Sequence, residues 1–95
     1  MHLVASCHAY LVRCADGTLY AGWTTDLERR LAAHNRGTGA KYTRARRPVA
    51  LLAAWPFETR TEAMRWEARL KRMHRAEKLR WAAETEHFAP IGKDA

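Results

Sequence analysis

Two apolar stretches near the start of the chain have the hydrophobic pattern of β-strands and are joined by turn residues. Residues 7–14 (CHAYLVRC) and 19–23 (LYAGW) are dominated by aliphatic and aromatic side chains. The segment between them contains Asp16-Gly17, a dipeptide typical of tight hairpin turns. The pattern therefore predicts a β-hairpin.

The next segment predicts a helix followed by a loop. Thr25 and Glu28 have the T-x-x-E spacing of a capping box, which predicts a helix over about residues 26–35. Residues 35–48 contain two glycines and several basic side chains without a clear hydrophobic period. They predict a loop or short turn.

The second half of the chain predicts one strand and two helices. An apolar run at about residues 49–55 indicates a buried strand. Thr59 and Thr61 are both N-cap candidates for a helix reaching about Met73, and Thr59 has the capping-box spacing to a glutamate. A further helix is predicted from about residue 75 to 85.

The predicted order is β-β-α-β-α-α. An α+β fold with a small three-stranded, mainly antiparallel sheet flanked by helices is the simplest arrangement for this order. We expect one domain over residues 7–85, with an N-terminal segment 1–6 and a C-terminal tail 86–95.

The relative orientation of Tyr10 and Tyr20 depends on the length of the hairpin loop. A two-residue loop of Asp16 and Gly17 places the two tyrosines on opposite faces of the sheet. A three-residue loop that also includes Ala15 places both on one face. Asp-Gly chemistry permits either arrangement.

The first predicted helix carries polar residues on its apolar side. At about 100° per residue, Leu27, Arg30, Leu31 and His34 fall within one sector. A half-buried arginine needs an anion or a hydrogen-bonded partner. Otherwise Arg30 extends its methylene stem to water and His34 caps the helix end.

The second predicted helix has a similar feature. Ala63, Trp66, Leu70 and Met73 form an apolar stripe, and Glu67 lies at its edge. A carboxylate at such a position is costly unless it meets a cation or a metal ion. An internal salt bridge, for instance to the arginine of the first helix, is the alternative to a metal site.

Composition adds the class of partner. The 95-residue chain has a formal charge of +7 and a pI near 10.1, which favours a polyanion such as nucleic acid. No apolar run approaches the roughly 18 residues of a membrane span. Cys7 and Cys14 are seven residues apart on one predicted strand and would face opposite ways. We expect reduced thiols in a cytoplasmic protein without membrane association.

These residues together resemble the GIY-YIG nuclease superfamily, most closely its short stand-alone bacterial members. The two name-giving motifs correspond to residues 8–10 (HAY) and 20–22 (YAG), and the family arginine to Arg30. His34 follows one helical turn later, and the family glutamate corresponds to Glu67. The resemblance covers roughly residues 7–80.

The resemblance implies phosphodiester hydrolysis with a single divalent ion, Mg²⁺ or Mn²⁺. Glu67 would bind the metal, and Arg30 would bind the phosphate. Tyr20 would position or deprotonate the attacking water. Tyr10 would hydrogen-bond that water or the phosphate, and His34 would hold Tyr20 or the phosphate.

One position departs from the family pattern and bears on the pKa of the second tyrosine. Some relatives have a lysine three residues after it, where this chain has Trp23. Lys41 is a candidate to replace that lysine.

Substrate contacts are expected in the basic loop, from Lys41, Tyr42, Arg44, Arg46 and Arg47. Tyr42 would stack on an unpaired base. We expect DNA rather than RNA, recognised by structure or single-strandedness and not by sequence, with a role in repair or recombination. A protein partner would supply further specificity. The alternative is a non-catalytic nucleic-acid-binding module on the same scaffold.

Overall fold

A computed structural model describes residues 6–84 and shows three strands with helices packed against them. The strands are β1 (Cys7–Arg13), β2 (Leu19–Thr24) and β3 (Ala50–Phe57), and the helices are α1 (Leu27–Arg36), α2 (Lys41–Arg44), α3 (Arg60–Arg72) and α4 (Arg75–Glu84). The sheet is antiparallel in the order β2-β1-β3. The predicted α+β class and order are confirmed, and α2 is a four-residue addition within the predicted loop. The predicted terminal segments lie outside the described residues, except for Ser6.

The hairpin uses the three-residue loop. Gly17 has a φ of 86°, a left-handed conformation that glycine adopts without a steric penalty. Val12 pairs with Tyr20, and Tyr10 pairs with Gly22. Both tyrosines consequently lie on one face of the sheet, which decides between the two alternatives.

The sheet separates two clusters of buried side chains. One cluster, which we call the apolar face, is packed by α3 and α4 and includes Ala9, Leu11, Ala21, Ala53, Trp55, Leu70 and Ala82. The other, which we call the tyrosine face, receives α1 and includes Tyr10, Val12, Cys14, Leu27, Val49 and Ala54. Successive side chains of β1 point to opposite faces of the sheet, so this strand contributes residues to both clusters.

Helix α1 does not begin with the predicted capping box. Asp26 is the N-cap, and its side chain accepts a hydrogen bond from the Arg29 amide at 3.0 Å. The Thr24 hydroxyl accepts from the Asp26 amide at 3.1 Å, so β2 leads directly into this cap. The prediction based on Thr25 and Glu28 is wrong because a stronger cap, aspartate, lies one residue further on.

Of the two N-cap candidates predicted for α3, Thr59 is confirmed. Thr59 accepts from the Glu62 amide at 3.2 Å, and its hydroxyl lies 3.1 Å from Oε1 of Glu62. The helix ends at Arg72, one residue before the predicted end. The Thr59 hydroxyl thus satisfies the Glu62 amide, which has no partner within the helix, and it donates its own hydrogen to the Glu62 carboxylate.

The structure shows the state of the two cysteines and the lengths of the helices. Cys7 and Cys14 are both buried free thiols, as predicted. Among residues 6–84, no helix has the length and apolar character needed to cross a membrane.

Candidate active site

Four side chains of the tyrosine face form a buried hydrogen-bond chain. Nε of Arg30 donates to the Tyr10 hydroxyl at 3.2 Å, and that hydroxyl lies 2.8 Å from Nε2 of His34. Nδ1 of His34 lies 2.8 Å from the Thr43 hydroxyl, which donates to the Ala40 carbonyl at 3.0 Å. Strand β1 and helices α1 and α2 each contribute to this chain.

Burial favours the neutral forms of Tyr10 and His34, the two central groups of the hydrogen-bond chain. Desolvation raises the pKa of the Tyr10 phenol, although the nearby guanidinium of Arg30 partly opposes this effect. Desolvation also lowers the pKa of His34, and the charge of Arg30 lowers it further. The pKa of Arg30 itself is raised, chiefly by its hydrogen bond to Tyr10. Arg30 is therefore the one ionised member of the chain near neutral pH.

Two glycines permit the close packing around this chain. A Cβ placed on Gly22 would lie 2.4 Å from the Tyr10 hydroxyl oxygen and 2.6 Å from the ring carbon that bears it. A Cβ placed on Gly39 would lie 2.6 Å from Nδ1 of His34. The glycine of the YAG motif is thus required by the tyrosine of the HAY motif.

Tyr20 lies beside this chain and is half-buried. Its ring makes an edge contact with His34, with ring centroids 5.5 Å apart. It stacks on Tyr42 at 5.7 Å with an interplanar angle of 21°. Tyr20 also contributes to raising the pKa of Arg30, which places its hydroxyl near the guanidinium. The two predicted catalytic tyrosines and the predicted arginine are thus brought together.

Glu67 pairs with a lysine that the sequence analysis did not single out. Its Oε2 lies 3.2 Å from Nζ of Lys71, and the glutamate side chain is 20% exposed. Its charge is among the influences that raise the pKa of Tyr10, after burial, so it lies near the same site. Among the described residues, Glu67 forms its salt bridge with the largely exposed Lys71 and not with Arg30, which was the example given for the alternative to a metal site.

Lys71 is also the lysine that approaches Tyr20. Its Nζ lies 5.9 Å from the centre of the Tyr20 ring. Lys41, predicted to replace the lysine of some relatives, is an exposed residue at the start of α2. The i,i+4 spacing between Glu67 and Lys71 was the available signal for this residue.

An open cavity of about 240 Å³ lies next to Arg30. Its other lining residues are Trp23, Thr24, Thr25 and Arg60. Among the described residues, two guanidinium groups and no carboxylate line it, so it suits an anion. Trp23 contributes a wall of this cavity.

The predicted nucleic-acid-binding residues surround α2. Lys41, Tyr42, Arg44 and Arg47 are exposed. Arg46 is partly exposed, bonds to Asp16 at 3.1 Å and lies over the Tyr42 ring at 4.0 Å. A second open cavity, of about 480 Å³, is lined by Asn35, Arg44, Ala45, Arg47 and Pro48. The basic loop is therefore a surface adjoining the tyrosine face.

Thr43 is the other functional candidate that sequence reasoning missed. It is fully buried, although its neighbours along α2 are exposed. Its hydrogen bond to His34 joins residues nine positions apart across a loop. No hydrophobic period marks it, and the only available signal was a hydroxyl within a basic, polar segment.

Comparisons with known proteins give matches over most of the chain. A model of the GIY-YIG catalytic domain matches residues 6–80. A UPF0213 protein of Halobacterium salinarum is 54% identical over 71 residues, covering 75% of this chain and 92% of the relative. A UPF0213 protein of Xanthomonas axonopodis is 57% identical over 74 residues, covering 78% and 72%.

Two solution NMR structures have the same fold. The UPF0213 protein from Bacillus halodurans has a TM-score of 0.56 at 38% identity and covers 93% of this chain and 98% of its own. A protein from E. faecalis has a TM-score of 0.59 at 42% identity and covers both chains fully.

Proposed function

The chain belongs to the GIY-YIG family of nuclease-type domains, and from that premise we propose that it is a metal-dependent nuclease acting on DNA. The observation that carries this proposal is the environment of Arg30. Its Nε is held from the protein interior by the buried Tyr10 hydroxyl, while the residue also lines an open, carboxylate-free cavity. A guanidinium has five N–H donors, so several remain to bind a phosphate in that cavity.

Glu67 suits the single divalent ion that the family implies. Mg²⁺ is commonly bound through one or two carboxylates together with water and phosphate oxygens. Glu67 is partly exposed, and residues 6–84 contain no cluster of three His, Cys, Asp or Glu side chains that would form a closed metal cage. A bound Mg²⁺ or Mn²⁺ would offset the charge that develops on the leaving oxygen.

Tyr20 is the candidate to orient and deprotonate the attacking water. Arg30 and Lys71 are cations close to Tyr20. Arg30 would also stabilise the charge that develops on the phosphate in the transition state.

We propose a positioning role for Tyr10 and His34 in place of the contact with water or phosphate that the resemblance implies. Both are buried, and each already has hydrogen-bond partners within the protein. They are positioned to hold Arg30 and not to contact the water or the phosphate. His34 bonds to Tyr10, and its contact with Tyr20 is through the ring.

The substrate would be held through its backbone by the basic surface around α2, formed by Lys41, Tyr42, Arg44, Arg46 and Arg47. Such contacts give affinity that depends on salt and carry no sequence readout. We therefore propose recognition of DNA structure or single strands in the cytoplasm, in repair or recombination, with specificity supplemented by a protein partner. Stacking of Tyr42 on an unpaired base would require Arg46 to leave the ring that it now covers.

The test is cleavage of end-labelled single-stranded, duplex and branched DNA by the purified protein with Mg²⁺, Mn²⁺ or EDTA. Glu67→Gln removes the metal-binding charge, and Glu84→Gln, at the exposed end of α4, is the matched control. We expect metal-dependent cleavage that is lost in Glu67→Gln and retained in Glu84→Gln. RNA versions of the same oligonucleotides show which nucleic acid is preferred.

The second candidate is the non-catalytic binding module. The basic surface around α2 favours it as much as it favours an enzyme. Tight, salt-sensitive binding without cleavage under any metal would support the module and contradict the nuclease.

A further inference from the structure

We propose that Thr43 is a positioning residue that fixes the tautomer of His34 and, through Tyr10, the orientation of Arg30. The inference rests on the proposed function only for its effect on cleavage. The tautomer itself is a property of the folded protein and is testable without any substrate.

The hydroxyl hydrogen of Thr43 determines which partner donates in its hydrogen bond with His34. The single hydrogen of the Thr43 hydroxyl is directed to the Ala40 carbonyl at 3.0 Å. The hydroxyl oxygen is then an acceptor, so Nδ1 of His34, 2.8 Å away, carries the hydrogen. Nε2 is left as an acceptor for the Tyr10 hydroxyl at 2.8 Å.

The Tyr10 hydroxyl continues the same direction towards Arg30. Because its hydrogen goes to His34, the Tyr10 oxygen presents its lone pairs to Nε–H of Arg30 at 3.2 Å. Each donor in this order has an acceptor, and each member except the last both donates and accepts. The direction of the hydrogen-bond chain is therefore constrained at both ends, by the Thr43 oxygen that accepts from His34 and by the Arg30 guanidinium that can only donate.

The opposite direction leaves a polar group unsatisfied. If Thr43 donated to Nδ1, then Nε2–H of His34 would point at the Tyr10 oxygen together with Nε–H of Arg30. The Tyr10 hydrogen would have no acceptor among the contacts of the described residues. A buried unsatisfied hydroxyl is costly, so the first direction is favoured.

Burial makes this arrangement hard to rearrange. His34 and Thr43 are 0% exposed and Tyr10 is 1% exposed. Gly39 leaves no room for a side chain against His34, so the imidazole is held on that side as well. Water is thus excluded as an alternative partner for these groups.

The position of Thr43 also connects the basic surface to the catalytic groups. Its neighbour Tyr42 stacks on Tyr20, while Thr43 acts on Tyr10 through His34. Two consecutive residues of α2 therefore interact with the two tyrosines, Tyr42 directly with Tyr20 and Thr43 with Tyr10 through His34. A displacement of α2 would change the contacts of both tyrosines.

The direct experiment is ¹⁵N NMR of the imidazole nitrogens in the full chain above neutral pH. The protonated and unprotonated ring nitrogens of a neutral histidine have well-separated shifts, and His34→Gln assigns the His34 signals. We expect wild-type His34 as the Nδ1–H tautomer. Thr43→Val, which keeps the shape but removes the hydroxyl, is expected to change this pattern, and Thr43→Ser is expected to restore it.

Cleavage kinetics provide the second measurement. In Thr43→Val we expect kcat to fall by at least about tenfold with KM nearly unchanged, because Arg30 is misplaced while the binding surface is kept. Thr43→Ser is expected to recover kcat, and Thr61→Val, at an exposed position of α3, to leave it unchanged.

An Nε2–H or doubly protonated His34 in the wild-type protein would overturn the proposal, as would wild-type kcat in Thr43→Val. If Thr43→Val fails to fold, the wild-type spectrum and Thr43→Ser still decide the direction of the chain. If no DNA is cleaved but the tautomer is as expected, the positioning of Arg30 stands and the nuclease proposal fails.

Discussion

The two faces of the sheet use burial for different purposes. The apolar face packs aliphatic side chains and three tryptophans, with edge contacts between Trp55 and Trp66 at 5.6 Å and between Trp66 and Trp81 at 5.2 Å. The tyrosine face buries Tyr10, His34 and Thr43 in a hydrogen-bond chain that ends on a charged arginine.

Polar atoms are treated differently on the two faces. Within residues 6–84, the buried indole N–H groups of Trp55 and Trp66 have no hydrogen-bond partner, while their rings pack in the apolar face. On the tyrosine face, the buried polar side chains Tyr10, His34 and Thr43 are hydrogen-bonded, which orients them. The two faces therefore differ in how they bury polar atoms.

The largest effect on folding is expected on the apolar face. Leu70 is fully buried among the sheet and α4, so Leu70→Ala leaves a cavity and should lower the free energy of unfolding by about 2–5 kcal/mol. Urea denaturation measures this change. Met64, on the same helix and 48% exposed, is the control, and Met64→Ala should cost less than about 0.5 kcal/mol. Equal effects at the two positions would contradict the assignment of the core.

A smaller loss of stability is expected when Gly22, the glycine of the YAG motif, is substituted. Gly22→Ala forces Tyr10 to move, at a cost of about 1–3 kcal/mol, and should also reduce cleavage because Tyr10 holds Arg30. Thermal unfolding and kcat are measured together. Gly17→Asn, at an open left-handed position that asparagine adopts more readily than most residues, is the control and should keep kcat with a smaller loss of stability. Wild-type kcat in Gly22→Ala would separate Tyr10 from catalysis.

Acid should weaken the tyrosine face first. Burial lowers the pKa of His34 in the folded state, so the unfolded chain binds more protons as pH falls below about 6.5. The stabilisation that neutral His34 contributes is fully present above that pH. It is lost as the pH falls towards the lowered pKa that His34 has in the folded state. Burial lowers the pKa of His8 as well, so it adds a slope of the same sign.

The measurement is the free energy of unfolding between pH 8 and 5 for the wild type, His34→Gln and His8→Gln. The slope should be reduced in each variant relative to the wild type. An unchanged slope in His34→Gln would show that its neutral form is not a requirement of the fold.

The smallest effect is expected at the rim of the tyrosine face. The Arg46–Asp16 pair is exposed, so Arg46→Ala should change stability by no more than about 1 kcal/mol. If Arg46 contacts phosphate, the slope of log affinity against log salt should decrease by about 1. Titration of a fluorescent single-stranded oligonucleotide with Glu67→Gln measures this without cleavage, and Arg80→Ala, on α4, is the control. An unchanged slope would place Arg46 outside the interface.

The sequence was sufficient for the order of elements but not for details decided by neighbouring alternatives. The hairpin register stayed open because Asp16-Gly17 fits loops of two or three residues. The start of α1 was misplaced because Thr24, Thr25 and Asp26 are consecutive cap-competent residues. Only the path of the backbone from β2 selects Asp26.

The candidate site was predicted where helical and strand periods place residues, and missed where distant segments meet. The sector holding Arg30 and His34 followed from the period of α1, and the structure places both against the sheet. Thr43 reaches His34 through loop closure, which no local pattern encodes. Lys71 reaches Tyr20 only because α3 lies across the hairpin.

The central claim is that Arg30, held by Tyr10 on the tyrosine face, acts in DNA cleavage and is not itself needed for folding. The most direct measurement is metal-dependent, single-turnover cleavage of single-stranded DNA by the wild type and Arg30→Ala, at equal folded fraction determined by circular dichroism. We predict cleavage by the wild type and a loss of at least about 100-fold in Arg30→Ala with little change in Tm. Equal rates in the two proteins, or no cleavage by the wild type, would contradict the account.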